Sequence, residues 1–182
     1  INKNFHLKKI FCFEPNPHMF MKLKKFKNQN KNKKNIMLFN YGIGDKNESK
    51  LLNIFNDTSS STLNKLNLST KYFKRKKRII SFFSNNFFKK KIKVRIVTLN
   101  HIFEKYKVKK LDLLKIDTEG FEYKIIKNLK EKYFKRISFI YFEHHYDLMI
   151  LKRYKFKNID QILKKNNFKL SEKYKMPFRK TF

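Results

Sequence analysis

The sequence is short of the residues that build disulfide frameworks and membrane spans. Cysteine occurs once in 182 residues, at Cys12, which excludes an internal disulfide and a zinc site built from cysteines. Apolar runs fall well short of the roughly 18 residues that a transmembrane helix needs. Residues 1–9 lack the unbroken apolar core of a signal peptide. We therefore expect a protein that works in the reducing cytoplasm.

Acidic residues, alanine and tryptophan are also scarce. The chain has 14 Asp and Glu against 46 Lys and Arg, a formal net charge of +32, and no alanine or tryptophan. Lysine outnumbers arginine 40 to 6, and asparagine occurs 20 times. The abundant residues have AT-rich codons, so mutational bias explains the charge without a nucleic-acid partner; arginine, the better reader of bases and phosphates, is the rarer cation. We expect no specific nucleic acid, although the charge would favour peripheral contact with an anionic membrane surface.

The sequence does contain enough apolar residues for a folded core, in alternating predicted strands and helices. Hydrophobic residues make up 41% and aromatic residues 16% of the chain, which excludes a disordered tail. The predicted strands are residues 10–14, 36–39, 51–55, 92–100, 111–116, 138–142 and 168–174. The predicted helices are residues 20–26, a segment from Thr98 or Asn100 to Tyr106, 121–133 and 158–166. The alternation indicates an α/β fold with a mainly parallel sheet, in one domain over residues 1–182.

Glycine occurs only three times, and two of the three, Gly42 and Gly44, come just before Asp45. Such scarcity suggests that each glycine meets a backbone requirement such as a positive φ angle. We therefore predict a turn over these residues, directly after the strand that ends near Asn40.

Polar residues follow four of the predicted strands, at Glu14, Asn40, Asp117 and Glu143. The carboxyl ends of parallel strands lie at one edge of a sheet, and ligands of open α/β sheets bind beyond that edge. We therefore expect these four side chains to converge around a ligand cleft.

The segment FEPNP, residues 13–17, has two interpretations of equal weight. A carboxylate at the end of a strand, here Glu14, accepts hydrogen bonds from ribose hydroxyls in nucleotide-binding α/β units. Pro15 and Pro17 then force the chain out of the strand. The alternative is a plain strand-to-helix turn with a solvated glutamate.

The acidic turn, residues 117–120 with the sequence DTEG, also has two interpretations. Asp117 could cap the following helix and Glu119 could be its first-turn acid, together worth about 1 kcal/mol. Alternatively, a carboxylate at the mouth of a cleft faces a cationic cofactor group or takes a proton from a substrate hydroxyl. In that case Gly120 lets the backbone approach closely.

Two further features concern metals and alternative partners. His144 and His145 are adjacent, so on a strand they would point to opposite faces; with no third ligand at a suitable spacing, we predict no metal site. The basic, aromatic insertion at residues 71–91 supports an alternative function, a non-catalytic module for RNA or an anionic membrane surface. A mobile loop or lid whose composition reflects the codon bias is the simpler explanation. The sequence has neither a Walker loop nor a serine nucleophile elbow.

Taken in order, these segments resemble one known family. The chain resembles the FkbM family of S-adenosylmethionine-dependent methyltransferases over about residues 10–143. The matching motifs are FEPNP, the N-x-x-x-G-D turn from Asn40 to Asp45, the serines Ser59 to Ser61, V-T-L-N, D-L-L-K-I-D-T-E-G and the strand that ends at Glu143. The pairing of L-L-K-I-D-x-E-G with FEPNP about a hundred residues earlier is the most specific part.

The resemblance implies a Rossmann-like class I methyltransferase sheet with S-adenosylmethionine as cofactor. In this family Glu14 would hold the ribose hydroxyls, and Asn40, Tyr41 and Asp45 would line the adenine end. The full set of implied cofactor contacts is Glu14, Asn16, Asn40, Tyr41, Asp45 and Asp117.

The resemblance also implies an acceptor, namely a hydroxyl group on a sugar, a lipid or another small natural product. Asp117 and Glu119 would lie near the methionine part of the cofactor and the substrate, as the catalytic residues. Ser60, Ser61 and Glu143 would contact the acceptor.

This sequence departs from the family pattern at two places. The family begins with a strand and a glycine-rich turn of the D-x-G-x-x-x-G type, and nothing of that kind precedes Phe13. We therefore expect a sheet without its first strand, a sequence incomplete at its N-terminus, and weak or no cofactor binding by the 182-residue chain alone. A decayed reading frame is a further alternative. The second departure is Asn100, where the family often has aspartate.

Overall fold

The computed structural model of the protein describes residues 8–29, 35–55, 61–64, 67, 69–70, 88–144 and 153–174. The strands in these ranges are β1 (Ile10–Phe13), β2 (Ile36–Phe39), β3 (Gly42–Gly44), β4 (Glu48–Phe55), β5 (Ser61–Thr62), β6 (Phe88–Thr98), β7 (Leu111–Ile116) and β8 (Ile137–Phe142). The helices are α1 (Pro17–Gln29), α2 (Leu99–Lys105), α3 (Glu122–Asn128), α4 (Glu131–Phe134) and α5 (Phe156–Lys165). No described helix has the length and apolar character needed to span a bilayer.

The strands form three sheets within the described residues. Strands β1 and β2 pair in parallel, as do β7 and β8, and a third sheet has the order β3-β6-β4-β5. In the third sheet β3 runs parallel to β6, whereas β4 runs antiparallel to both of its neighbours. The predicted α/β fold with parallel strand pairs is present, but the third sheet is mixed, because β4 runs against both of its neighbours. The link between β3 and β4, residues 45–47, is too short for the crossover that a parallel strand needs.

Most predicted strands form, with shifted ends. The strands at 36–39 and 111–116 are confirmed, and those at 10–14 and 138–142 each move one end by one residue. Strand β4 begins three residues before the predicted start at Leu51, because its first residues pair with β6 although they are polar. Strand β6 begins at Phe88, so the last residues of the predicted 71–91 insertion belong to a strand. Residues 71–87 lie outside the described ranges.

Two predictions near the C-terminal end need correction. The last helix begins at Phe156, two residues before the predicted start. The predicted strand at 168–174 is wrong, because these residues are described and form no strand. Phe168 instead packs its ring edge-on against Phe134, with centroids 6.1 Å apart. Leu170 and Tyr174, the apolar residues that suggested a strand, are exposed.

The main core lies between the β7–β8 pair and the helices that flank it. The predicted core face of the segment after the acidic turn is confirmed, because Phe121, Ile125, Ile126 and Leu129 are all buried. Ile159 of α5 joins the same cluster. Each such side chain contributes roughly 1.5–3 kcal/mol when it is fully buried, so this cluster anchors the turn that precedes α3.

The single helix predicted over 121–133 is in fact two helices. Helix α3 ends at Asn128, Leu129 and Lys130 are extended, and α4 starts at Glu131. The side chain of Asn100 explains the break: its Nδ2 donates to the carbonyl of Asn128 at 2.8 Å, and its Oδ1 accepts the N–H of Lys130 at 3.0 Å. An aspartate could not donate the first of these bonds, so asparagine serves a structural purpose here. Of the two predicted caps for α2, Thr98 is the one used; it accepts the N–H of His101.

Gly42 and Gly44 lie in a strand, not in the predicted turn. Neither is needed for a positive φ angle; both are needed because β3 runs directly against the Ile96 side chain. A Cβ atom at Gly42 would lie 2.9 Å from Ile96 Cδ1, and one at Gly44 would lie 2.6 Å from Ile96 Cγ2. Real Cβ atoms essentially never approach so closely, so close packing explains why scarce glycine is used twice here.

Candidate functional site

The FEPNP turn is built around the buried side chain of Asn16. Asn16 is 2% exposed, and its Oδ1 accepts the N–H of His18 at 3.0 Å. Its carbonyl accepts the N–H of Phe20 at 2.8 Å, the first bond of α1. Asn16 is therefore the N-cap of α1 and Pro17 its first residue, a position that proline favours. The structure gives Asn16 a capping role, and its predicted contact with a cofactor stays a prediction.

Glu14 is held in place by the same turn. Its Oε1 accepts the N–H of Asn16 at 2.8 Å. Its Oε2 accepts no hydrogen bond from the residues that the structure describes. Burial raises the pKa of the Glu14 carboxyl above its ordinary value, and the bond from Asn16 lowers it in part. One oxygen of a partly desolvated carboxylate is thus fixed, and the other is available to a ligand.

Asn40 and Tyr41 lie beside Glu14, as predicted for neighbouring strand ends. The Asn40 Nδ2 donates to the carbonyl of Glu14 at 2.9 Å, and the N–H of Glu14 donates to Phe39 at 3.0 Å. The Tyr41 ring lies 5.7 Å from that of Phe13 and 5.4 Å from that of Phe39. Burial, together with a hydrogen bond to Tyr106, raises the pKa of Tyr41 to about 12. The rings of Phe13, Phe39 and Tyr41 therefore form an aromatic surface at the strand ends that carry Glu14 and Asn40.

Strand β3 connects this turn to the acidic turn. A Cβ atom at Gly42 would lie 3.4 Å from Pro15, and one at Gly44 would lie 3.5 Å from the Phe121 ring. Two residues of strand, about 7 Å, separate these contacts. The structure thus brings residues 13–17 and the start of α3 together along one short strand.

Asp45 directly follows β3, at the end of the strand that lies near Phe121. Its Oδ1 is buried and accepts no hydrogen bond from the described residues, although the Lys50 Nζ lies 3.9 Å away. The same Lys50 Nζ lies 5.0 Å from the centre of the Phe121 ring. Asp45 therefore has a buried carboxylate oxygen without a hydrogen-bond donor among the described residues, directly after the glycine that lies near Phe121.

Asp117 and Glu119 do not cap α3, contrary to the structural interpretation of the acidic turn. Asp117 is half exposed, and its carboxylate lies 3.5 Å from the Lys115 Nζ. Glu119 has φ +50°, in the left-handed region, and Gly120 has φ +97°. Phe121 is the N-cap, with no side-chain cap bond. Helix capping therefore does not account for these two carboxylates.

The carboxylate that organises the turn is Glu122, which the sequence interpretation missed. Glu122 is 0% exposed. Its Oε1 accepts the N–H of Thr118 at 3.3 Å, the Thr118 hydroxyl at 3.1 Å and the N–H of Gly120 at 2.9 Å. Its Oε2 accepts the Tyr154 hydroxyl at 2.6 Å. The spacing of Glu122 to Ile125 and Ile126, i to i+3 and i+4, is the signal that places it on the buried face.

The predicted substrate residues divide between described and undescribed parts of the chain. Ser60 lies outside the described residues, and Ser61 is half buried in β5, opposite Ile54. Just after it, the Thr62 hydroxyl and the Asn64 amide both donate to the carbonyl of Glu119. The N–H of Glu143 donates to the carbonyl of Ile116 at 3.1 Å, so Glu143 follows its strand beside Asp117. Ser61, next to Thr62, and both strand ends thus lie near the acidic turn.

Comparison with known proteins identifies the family of this chain. A family model described as "Methyltransferase FkbM domain" matches residues 2–170, nearly the whole chain. This chain belongs to the FkbM methyltransferase family. No curated protein and no solved structure matches it significantly.

In this FkbM methyltransferase, the predicted site residues lie in two groups, one near each end of β3. Glu14, Asn40 and Tyr41 form the first group, beside the aromatic surface. The second group surrounds the acidic turn and consists of Asp45, Ser61, Asp117, Glu119 and Glu143. The described residues contain no cluster of three potential metal ligands. The roles of these two groups toward the cofactor and the acceptor stay predictions.

Proposed function

We propose that this FkbM methyltransferase transfers the methyl group of S-adenosylmethionine to a hydroxyl group of a sugar, lipid or similar small acceptor. The observation that carries the proposal is the link that β3 makes between the Glu14 turn and the acidic turn. In this proposal, a carboxylate that holds the ribose and a pair of carboxylates suited to the reacting end line one cleft. The class I fold, with a Rossmann-like sheet, is part of the proposal.

The described residues fit this cofactor at two atoms. Glu14 Oε2 is available to accept bonds from ribose hydroxyls, and the buried Asp45 Oδ1 lacks a donor among the described groups. Asn40 and the Tyr41 ring would contact the adenine end. When bound, S-adenosylmethionine supplies an electrophilic methyl group on a positively charged sulfur. A carboxylate such as Asp117 would stabilise that charge.

On the acceptor side, the acidic turn is suited to handling a proton. A hydroxyl acceptor must lose its proton as it attacks, and a positioned carboxylate can receive that proton. Asp117 and Glu119 are the carboxylates in place for this role, since the turn holds their backbone firmly. Ser60, Ser61 and Glu143 would contact the acceptor and bring its oxygen into line with the methyl group.

Replacing Glu14 with glutamine should weaken S-adenosylmethionine binding. Glutamine keeps the shape and one acceptor oxygen but loses the charge, and hydrogen bonds to charged groups are worth about 1.5–3 kcal/mol, or roughly 10- to 100-fold in affinity. Isothermal titration of S-adenosylmethionine into the full-length natural protein would measure the change. Glu131→Gln is the matched control, because Glu131 is an exposed helical glutamate paired with a lysine. Equal affinity of Glu14→Gln and the wild type would argue against the ribose role, and no binding to the wild type would contradict the proposed function.

The same substitution should change how the stability of the protein depends on pH. Burial raises the folded-state pKa of Glu14, so the folded protein holds this proton more tightly than the unfolded chain does. Stability from this group is then present below the ordinary glutamate pKa and is lost as pH rises through the folded-state pKa. Glutamine has no such loss, so Glu14→Gln should gain stability relative to the wild type between about pH 4 and about pH 7. Urea unfolding of the variant and the wild type at about pH 4 and about pH 7 measures both free energies of unfolding. If the value for the variant minus that for the wild type does not rise between these two pH values, the prediction is wrong.

A further inference from the structure

One peptide group of the acidic turn, between Glu119 and Gly120, is held at both of its polar ends. The carbonyl oxygen of Glu119 accepts the Thr62 hydroxyl at 2.9 Å and the Asn64 amide at 3.2 Å. The N–H of Gly120 donates to Glu122 Oε1 at 2.9 Å. Because this carbonyl and this N–H belong to one planar unit, the peptide cannot rotate without breaking bonds on both sides.

The two groups that hold the oxygen are buried and fixed by their own strand. Thr62 and Asn64 are 2% and 8% exposed. The Thr62 Oγ1 also accepts the N–H of Asn64 at 3.1 Å. Asn53 of β4 donates to the carbonyl oxygens of both residues, at 3.4 and 3.3 Å. The two groups that bind the Glu119 oxygen are therefore anchored to β4, and they lie 57 and 55 residues from Glu119 in sequence.

The group that holds the N–H is fixed from the opposite side of the turn. Glu122 belongs to α3, and Tyr154, just before α5, occupies its second oxygen. Burial and the neighbouring Glu122 charge raise the pKa of Tyr154, which keeps its hydroxyl protonated and able to donate. Two separate segments thus hold one peptide group, and a third, through Tyr154, fixes Glu122.

This arrangement compensates for an unfavourable backbone conformation. A left-handed φ angle costs a residue other than glycine roughly 1–2 kcal/mol, and Glu119 has φ +50°. Such strain persists when the surrounding structure over-determines it, and it is concentrated at functional sites. Each hydrogen bond to the peptide contributes about 0.5–1.5 kcal/mol, so the bonds together can offset the strain.

We propose that Thr62, Asn64 and Glu122 form a peptide clamp whose function is to position the acidic turn for methyl transfer. They are positioning residues: they do not touch the reactants, but they fix the backbone from Thr118 to Gly120 and so the directions of the Asp117 and Glu119 carboxylates. The proposal rests on the proposed function. It also ties Ser61, which directly precedes Thr62, to the turn, so a proposed acceptor contact and the acidic turn share one rigid connection.

Two substitutions at Thr62 separate a hydrogen-bonding role from a packing role. Thr62→Ser keeps the hydroxyl and removes a methyl group, whereas Thr62→Val keeps the shape and removes the hydroxyl. We expect Thr62→Val to weaken S-adenosylmethionine binding by roughly 5- to 10-fold, the value of about one buried hydrogen bond, and Thr62→Ser to retain most of the affinity. Hydrogen exchange of the Gly120 amide, followed by NMR in the full-length protein, should become faster in Thr62→Val alone.

Either of two results would overturn the proposed clamp. If Thr62→Ser loses as much affinity as Thr62→Val, or if the Gly120 amide exchanges equally fast in the wild type and Thr62→Val, the hydroxyl does not hold the peptide. Should Thr62→Val fail to fold, Asn64→Asp decides: it keeps the shape of the side chain but removes the amide donor to the Glu119 carbonyl, so unchanged protection of the Gly120 amide in that variant contradicts the clamp. Lack of S-adenosylmethionine binding by the wild type would contradict the proposed function instead, and the exchange measurement would still judge the hold on the peptide.

Discussion

Replacing Asp117 with asparagine should lower the rate constant of methyl transfer by about 100-fold or more, because a general base contributes roughly 10²- to 10⁴-fold. Asp117 directly follows β7, beside the strand end that carries Glu143. Its carboxylate is half exposed and pairs with Lys115 at 3.5 Å. Asparagine keeps the shape but cannot accept a proton. The measurement is the release of S-adenosylhomocysteine by the full-length protein with a panel of sugar and lipid alcohols.

The matched control for this prediction lies on the same strand. Asp112 of β7 is also an exposed aspartate, paired with Lys110 at 2.9 Å. Asp112→Asn makes the same chemical change at the opposite end of the strand, and it should leave the rate constant close to that of the wild type. Equal rates for Asp117→Asn and the wild type would remove Asp117 from the chemical step and leave Glu119 as the candidate base.

Gly44→Ala should lower the free energy of unfolding by about 2–3 kcal/mol, the upper part of the range for overpacked cores. The new Cβ would lie 2.6 Å from Ile96 Cγ2, and Ile96 is fully buried. Gly42→Ala meets Ile96 Cδ1 instead, at 2.9 Å. Urea unfolding of the two alanine variants, each with and without Ile96→Val, measures both effects.

The valine background distinguishes the two glycines. Ile96→Val removes Cδ1 and keeps Cγ2, so it should relieve Gly42→Ala by about 1 kcal/mol and leave Gly44→Ala unrelieved. A similar relief at both positions would mean that β3 shifts as a whole and that Ile96 does not set its distance. Because β3 packs against both Pro15 and Phe121, the proposed cleft predicts that Gly44→Ala also weakens S-adenosylmethionine binding.

The parts of the fold that the sequence predicts well are those governed by local patterns. A continuous apolar run identifies β2, the largely apolar segment LDLLKI identifies β7, and the core face of α3 follows from helical spacing. The start of β4 is missed because Glu48 and Lys50 are polar, and their strand conformation comes from pairing with β6. Likewise, Asn100 ends α3 from 28 residues away, which no local pattern reveals.

The candidate site shows the same division between local and distant effects. The acidic turn and the Glu14 turn are visible in the sequence as acids that follow apolar runs. The residues that hold the acidic turn are not, because Thr62 reaches Glu119 across 57 residues and Tyr154 fixes Glu122 across 32 residues. Glycine shows a further limit: its scarcity indicates a backbone requirement, but only the packing of Ile96 shows that the requirement is space.

The central claim is that one cleft joins the Glu14 turn to the acidic turn and holds S-adenosylmethionine between them. A crystal structure of the full-length protein with S-adenosylhomocysteine tests it most directly. We predict that the ribose hydroxyls lie within hydrogen-bond distance, about 2.5–3.0 Å, of Glu14 and that the sulfur lies beside Asp117. A ligand bound away from Glu14, or with its sulfur remote from the acidic turn, would contradict the account.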